Sequence, residues 1–287
     1  MQEKFLLDLR RDREELKGSE LRERVTKMRR RLDDPGLLSA DIMLNMFLSY
    51  LKAEDYGEMV RLVEDIEALH THQSMISLPA IQYYYAFALN RRNGKGDREK
   101  ALKVINEVLR TCEIPSPDMY GLVGRIHKDR FLESGCTDKE ALKLAIDGYR
   151  RGFERHNNEY LGVNLATLLV IDGADMSSGQ ELQFVCELAV HIPFWLLPNP
   201  CLLQLSTAAR TGNILNLHIG RKGNLAALKD YWDVATFFEV RVLAEDYVAA
   251  TRAAECMYRL DPPSWQVWAL SLSLFLLSIS SSFAGTS

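Results

Sequence analysis

The chain has 287 residues, 47% of them hydrophobic and 26% charged, with a formal net charge of −4. This composition allows a globular core of ordinary size, and the net negative charge disfavours nucleic acid as the main partner. Five cysteines without a C-x-x-C pair argue against a disulfide framework or a zinc site and favour free thiols in a reducing compartment.

The sequence shows neither a secretory signal nor a membrane anchor. Residues 1–16 are too charged for the apolar part of a secretory signal. No apolar run reaches the roughly 20 residues that a spanning helix needs. We therefore expect a cytoplasmic protein without a membrane partner.

The first clear helical pattern covers residues 19–33. Leu21, Val25, Met28 and Leu32 follow one another at spacings of 4, 3 and 4 residues, which predicts an amphipathic helix. The opposite face is basic and includes Arg24, Lys27 and Arg31. Such a face is either a docking surface for an acidic partner or an ordinary solvated surface.

Three further segments are typical of pairs of helices joined by a short polar turn: residues 41–69, 81–109 and 118–153. In these pairs Asp55, Asp97 and Asp138 stand where the second helix begins, and they are 42 and 41 residues apart. An acid at that position complements the dipole of the following helix. A single pair cannot bury its own apolar stripe, so the regular spacing predicts an array of stacked helical repeats.

The segment Tyr247 to Pro262 comes nearest to a tetratricopeptide unit. Tyr247 precedes Ala250 by three residues and Pro262 follows it by twelve, as in the second half of that repeat. We expect the small residues Ala101, Ala141 and Ala250 to lie where paired helices cross. The predicted fold is all-α, a right-handed, tetratricopeptide-like helical-repeat solenoid with degenerate repeats.

Two segments do not fit this pattern. Residues 184–216 contain three prolines and an apolar cluster at Phe194 to Leu197, and residues 266–287 alternate serine with leucine and isoleucine. We predict repeats over residues 1–183, an insertion over 184–216, a continuation of the repeats over 217–265 and an anomalous tail over 266–287.

Catalytic motifs are absent from the sequence. It contains no Walker, dinucleotide-binding, HExxH or nucleophile-elbow pattern. His127-Lys128-Asp129 superficially resembles the H-R-D of a kinase catalytic loop, but the accompanying kinase motifs are missing, and we interpret the segment as a charged, exposed helix face. His70 and His72 lie too close in sequence to share a helical face, which disfavours a metal site. We expect no enzyme activity and no cofactor.

Four stretches carry a resemblance to a known family: residues 40–69, 83–102, 117–134 and 220–238, including FALNRRN followed by GD and KAL. Together they resemble the central regulatory region of the apoptosis signal-regulating kinases, which are mitogen-activated protein kinase kinase kinases. The resemblance covers residues 1–183 and 217–265. In that family the region, also called the TRAF-binding domain, is a tetratricopeptide-like solenoid between a thioredoxin-binding segment and a kinase domain.

The resemblance implies a non-catalytic regulatory scaffold of a stress-activated kinase, in a product truncated before the kinase domain. It also implies TRAF-type adaptors, a thioredoxin-regulated neighbouring segment and a downstream kinase kinase as partners. The alternative is a free-standing adaptor that binds acidic peptides, which is favoured if Arg91 and Arg92 line one groove with Arg24, Lys27 and Arg31.

Both anomalous segments coincide with the places where the resemblance fails, so we predict that they derive from translated intronic sequence or a wrong gene model. A repeat array tolerates an inserted loop because each unit touches only its neighbours. Excision of residues 184–216 should therefore leave helicity and melting temperature unchanged and improve solubility. A lower melting temperature, or transcripts that uniformly include the insert, would contradict this prediction.

Overall fold

The computed structural model describes residues 2–34, 36–68, 72–174, 180–181 and 246–260, with isolated positions between 225 and 241. The predicted insertion at 184–216, the tail at 266–287 and His70 lie outside the described residues. All regular structure within the described residues is helical, which confirms the all-α prediction. The chain divides into two compact units, residues 1–126 and 127–287.

The first unit is built from seven helices and part of an eighth, followed in the second unit by three more helices among the described residues. In chain order they are α1 Gln2–Glu15, α2 Gly18–Arg29, α3 Ala40–Lys52, α4 Tyr56–Ala68, α5 Gln73–Ile76, α6 Pro79–Arg92, α7 Asp97–Thr111, α8 Pro117–Glu133, α9 Lys139–His156, α10 Glu159–Ile171 and α11 Tyr247–Arg259. Helix α8 crosses the boundary between the units.

Short polar side chains determine where several helices begin. Ser39, Asp138, Asn158 and Asp246 each accept a hydrogen bond from a backbone N–H in the first turn of the helix that follows. These caps satisfy backbone donors that have no partner within the helix. Helix α6 ends at Asn93, which has a φ of 52° and thus adopts the left-handed conformation common after a helix.

The core of the first unit is formed by helices that pack on their neighbours in sequence. Helix α1 packs on α2 and α3, α3 on α4 and α6, α4 on α6, and α6 on α7. The predicted stripe on α2 and the short 3-10 turn after it is confirmed, because Leu21, Val25, Met28 and Leu32 are all buried.

In the second unit α9 packs against α10. Their core contains Phe131, Tyr149, Phe153 and Leu165. Helix α11 contributes Ala253 and Met257 to a separate cluster that also contains Leu228, Tyr231 and Val234. The second unit is thus assembled from the same kind of helix pairing as the first.

Polar contacts join helices of neighbouring pairs, at sequence separations that include 32, 36 and 39 residues. Four such contacts link residues 36 positions apart: Arg13 to Ser49, Arg29 to Asp65, Lys100 to Glu64, and Lys128 to Asn164. The first three lie in the first unit and the fourth in the second. These contacts hold helices of successive pairs together within each unit.

Ala101, Ala141 and Ala250 are all buried, at 0, 1 and 4% exposure respectively. Ala101 lies on α7, which packs against α6. Replacing Ala101 by leucine should overpack this contact and lower the free energy of unfolding by roughly 1–3 kcal/mol, measured by chemical denaturation. Lys103→Leu on the exposed face of the same helix is the control and should change stability little. Equal stability of both variants would contradict the prediction.

Candidate protein-interaction surface

Each of the turn acids forms an ion pair with an arginine. The nitrogen–oxygen distances range from 2.7 to 3.4 Å, and the pairs are Arg22–Asp55, Arg92–Asp97, Arg130–Asp138 and Arg241–Asp246. Helices α4, α7, α9 and α11 begin at or directly after these acids. The predicted position of Asp55, Asp97 and Asp138 at the starts of second helices is confirmed, and the arginine partners add a contact that the sequence pattern does not reveal.

The predicted basic residues of α2 and its extension contact α1 or their own helix. Arg24 Nε donates to Asp12 Oδ2 at 2.6 Å, and this bond raises the pKa of the Arg24 guanidinium. Lys27 Nζ lies 2.6 Å from Glu23 Oε1. The Arg31 guanidinium lies over the Phe5 ring at 4.9 Å from its centre.

Arg91 and Arg92, at the end of α6, contact different elements. The Arg91 guanidinium lies 5.6 Å from the centre of the Tyr56 ring at the start of α4. Arg92 binds Asp97 with two hydrogen bonds of 2.7 and 2.8 Å, and Asp97 also accepts from the Gly94 N–H at 2.7 Å. The Arg92 hydrogen bond holds the pKa of the Asp97 carboxyl below its usual value.

The structure thus places four of the five predicted residues in two groups, and Lys27 pairs with Glu23 of its own helix. Arg24 and Arg31 contact α1, whereas Arg91 and Arg92 contact the starts of α4 and α7. Three of the five, Arg24, Lys27 and Arg92, bind carboxylates of this chain. A cation that is already paired offers less to an incoming acidic peptide, so this arrangement weakens the alternative of an acidic-peptide adaptor.

A row of aromatic side chains on α6 was missed by the sequence analysis. Tyr83 and Phe87 are partly exposed, and their ring centres are 6.4 Å apart. The Phe87 ring also meets the Tyr56 ring edge-on at 6.2 Å, and Arg91 lies over Tyr56. We call Tyr56, Tyr83, Phe87 and Arg91 the aromatic row. Its signal in the sequence was the spacing of four residues from Tyr83 to Phe87 and from Phe87 to Arg91, which places all three on one helical face.

The interpretation of His127-Lys128-Asp129 as an exposed face is wrong for its central residue. Lys128 is only 1% exposed, and its Nζ donates to Asn164 Oδ1 on α10 at 2.7 Å. His127 is partly buried, and burial lowers the pKa of its imidazole. Gly124, Lys128 and Phe131 are all buried and lie at helical spacing, so α8 turns this face inward.

The described residues contain no metal-binding cluster, no disulfide and no helix able to span a membrane. Among them no group of three or more histidine, cysteine, aspartate or glutamate side chains is arranged to hold a metal ion. Cys112, Cys136 and Cys256 form no disulfide, and the other two cysteines lie outside the described residues. Within the same part of the chain no helix is both long and apolar enough to cross a membrane.

Comparison with known proteins gives a consistent match. A family profile described as the MAP3K TRAFs-binding domain matches residues 1–191 and 203–282. The unmatched residues 192–202 lie inside the predicted insertion, and the match extends into the predicted tail. The boundaries of the insertion and of the tail stay predictions.

Curated relatives are similar over nearly the whole chain. Mouse mitogen-activated protein kinase kinase kinase 15 is 40% identical over 275 residues, covering 96% of this chain and 19% of that protein. The kinase nsy-1 of Caenorhabditis elegans is 42% identical over 270 residues, covering 92% of this chain and 16% of that protein. Human mitogen-activated protein kinase kinase kinase 5 is 35% identical over 263 residues, covering 92% of this chain and 17% of that protein. The chain therefore spans less than a fifth of the length of each of these relatives.

Proposed function

We propose, since this chain belongs to the family of MAP3K TRAFs-binding domains, that it is a regulatory, protein-binding scaffold of a stress-activated kinase without catalytic activity of its own. The observation that carries the proposal is the family match over residues 1–191 and 203–282. Similarity to named kinases over 92% or more of this chain supports the same assignment. In this proposal the chain acts in the cytoplasm.

Within each unit, we propose that the helical pairs stack as a right-handed, tetratricopeptide-like solenoid. Three observations support this arrangement: short turns between paired helices, an arginine–aspartate pair at the start of second helices, and polar contacts between helices of neighbouring pairs. In such an array each pair buries its apolar stripe against the next pair. Binding then depends on packed side chains at the surface and needs no reactive site.

The partner in this proposal is a TRAF-type adaptor, and the aromatic row is the surface that it contacts in the first unit. Large aromatic side chains and arginine are the residues that most often dominate binding energy at protein interfaces. Tyr83 and Phe87 are partly exposed, and their rings pack on each other while Phe87 also packs on Tyr56. Rings that are already held in place lose little conformational entropy on binding.

A direct binding measurement tests both parts of the proposal. Purified TRAF domains are titrated one by one onto the immobilised full chain, and the equilibrium dissociation constant is measured. We expect saturable binding of at least one TRAF domain and a loss of at least tenfold in affinity in the Tyr83→Ala, Arg91→Ala double variant, which corresponds to about 1.4 kcal/mol.

Arg61→Ala provides the matched control, because Arg61 lies on α4 with its side chain 70% exposed. It should bind like the unaltered chain. Absence of saturable binding to every TRAF domain would overturn the proposed partner. Unchanged affinity in the double variant would overturn the proposed surface but would not contradict the proposed partner.

The thioredoxin-regulated neighbouring segment and the downstream kinase kinase are further proposed partners. The support for both is similarity to whole kinases of which this chain spans less than a fifth. Co-precipitation of the chain with each candidate from stressed and unstressed cells tests them separately. A candidate that is absent from both precipitates is not a partner of this segment.

A further inference from the structure

The linker between α7 and α8 contains the one Ser-Pro or Thr-Pro dipeptide of the whole sequence, Ser116-Pro117. Proline at the position after the acceptor hydroxyl is the main requirement of proline-directed serine/threonine kinases. The linker runs from Cys112 to Ser116 and has no helical or strand structure. The dipeptide therefore lies in a connecting segment and not within a helix, apart from Pro117, which is the first residue of α8.

Two prolines restrict the backbone conformation of this linker. Ile114 precedes Pro115, and Ser116 precedes Pro117. A residue before proline is pushed toward extended backbone, because the proline ring clashes with the helical conformation. Kinase clefts bind their substrates as extended chain. The prolines thus bias Ile114 and Ser116 toward the extended backbone that a kinase cleft binds, which lowers the entropy cost of binding.

The linker around Ser116 is exposed to solvent and therefore accessible to an enzyme. The Ile114 side chain is 86% exposed, Glu113 is exposed, and Ser116 itself is partly exposed. The backbone carbonyl of Ser116 accepts a hydrogen bond from the Met119 N–H at 3.1 Å, which starts the first turn of α8. Several other helix starts in this chain use the side chain of the preceding residue, as Ser39, Asp138 and Asn158 do.

We propose that Ser116 is a phosphorylation site for a proline-directed serine/threonine kinase. The Ser116 Oγ attacks the γ-phosphorus of ATP, and its proton passes to a carboxylate base of that kinase. The bond between the γ-phosphorus and the β–γ bridging oxygen breaks, and ADP leaves with the bonding electron pair. The phosphoserine then lies directly before α8, where first-turn backbone N–H groups and the helix dipole favour an anion.

Mass spectrometry of the intact chain after incubation with ATP and a purified, active mitogen-activated protein kinase tests the site. We expect one phosphate per chain, located on the tryptic peptide that covers residues 111–125. Ser116→Ala should remove it. Pro117→Ala keeps the hydroxyl and a residue with high helix propensity, and should slow phosphorylation at least tenfold. Circular dichroism of both variants checks that helix content is unchanged.

Three results would overturn the proposal: no phosphate on this peptide while a standard substrate in the same tube is phosphorylated, retention of the phosphate in Ser116→Ala, or an unchanged rate in Pro117→Ala. The capping effect is tested by amide hydrogen exchange. Slower exchange at Asp118, Met119 and Tyr120 in the phosphorylated chain supports it, and unchanged exchange refutes it. Neither measurement depends on the TRAF partner, so the two proposals fail independently.

Discussion

Replacing Lys128 by alanine should lower the free energy of unfolding by about 3 kcal/mol, because it removes a large buried side chain and a buried hydrogen bond together. Lys128 is 1% exposed, and its ammonium group donates to Asn164 Oδ1 at 2.7 Å. The substitution leaves a cavity beside Phe131 in α8 and an amide oxygen of α10 without this donor. Urea denaturation followed by circular dichroism measures the loss.

Two further variants show which part of the effect comes from packing. Lys128→Met retains most of the volume and loses the donor, so we expect a smaller loss of about 1–2 kcal/mol. Lys143 is an exposed lysine on α9, and Lys143→Ala should change stability by no more than about 0.5 kcal/mol. If Lys128→Ala were as mild as Lys143→Ala, the side chain would be solvated and the interpretation of α8 given above would be wrong.

Replacing Asp97 by alanine should cost about 2 kcal/mol, because three charge-assisted hydrogen bonds converge on this carboxylate. Two come from Arg92 and one from the Gly94 N–H, and the Asp97 side chain is only 7% exposed. The partial exposure of Arg92, at 34%, keeps the expected cost below that of breaking a fully buried pair. Glu99→Ala, two residues further on and exposed, is the control and should have little effect on the denaturation midpoint.

The Arg92–Asp97 pair predicts that the free energy of unfolding depends on pH. The hydrogen bond from Arg92 lowers the pKa of Asp97 in the folded chain. A lowered pKa stabilises the fold above the unfolded value of about 3.9, and that contribution is lost as the pH falls through the folded pKa. The difference in unfolding free energy between the unaltered chain and Asp97→Asn should therefore shrink on acidification from neutral pH. A constant difference down to the acid range would show that the carboxylate charge contributes nothing.

The sequence indicates that Arg92 is a functional cation, but the structure gives it a different role from the predicted one. In the sequence it is a cation at the end of a helix, next to Arg91, and a candidate residue for binding a partner. In the structure it holds the start of α7 through Asp97, five residues further along the chain. Only the turn Asn93-Gly94-Lys95-Gly96 separates Arg92 from Asp97 in the chain. Their pairing is therefore local enough for the sequence to indicate it.

Helix α1 shows a second limit of prediction from sequence, because the burial of one of its residues depends on another helix. Phe5, Leu9 and Asp12 are buried at helical spacing, and α1 packs on α2 and α3. The high charge of this segment obscured the pattern, since one of its three buried positions is an acid. Asp12 is tolerated there because Arg24 of α2 donates to it at 2.6 Å. Burial of a carboxylate cannot be anticipated from α1 alone when its partner belongs to another helix.

The sequence by itself determined the all-helical class, the acids at the starts of second helices, the buried stripe from Leu21 to Leu32 and the family, because each depends on residues close together in the chain or on whole stretches of similarity. Only the tertiary structure decided that Lys128 is buried and that Tyr56 joins the row on α6. Helical periodicity shows which residues share a face, but the packing of other helices decides which faces are covered and which cations find partners inside the chain.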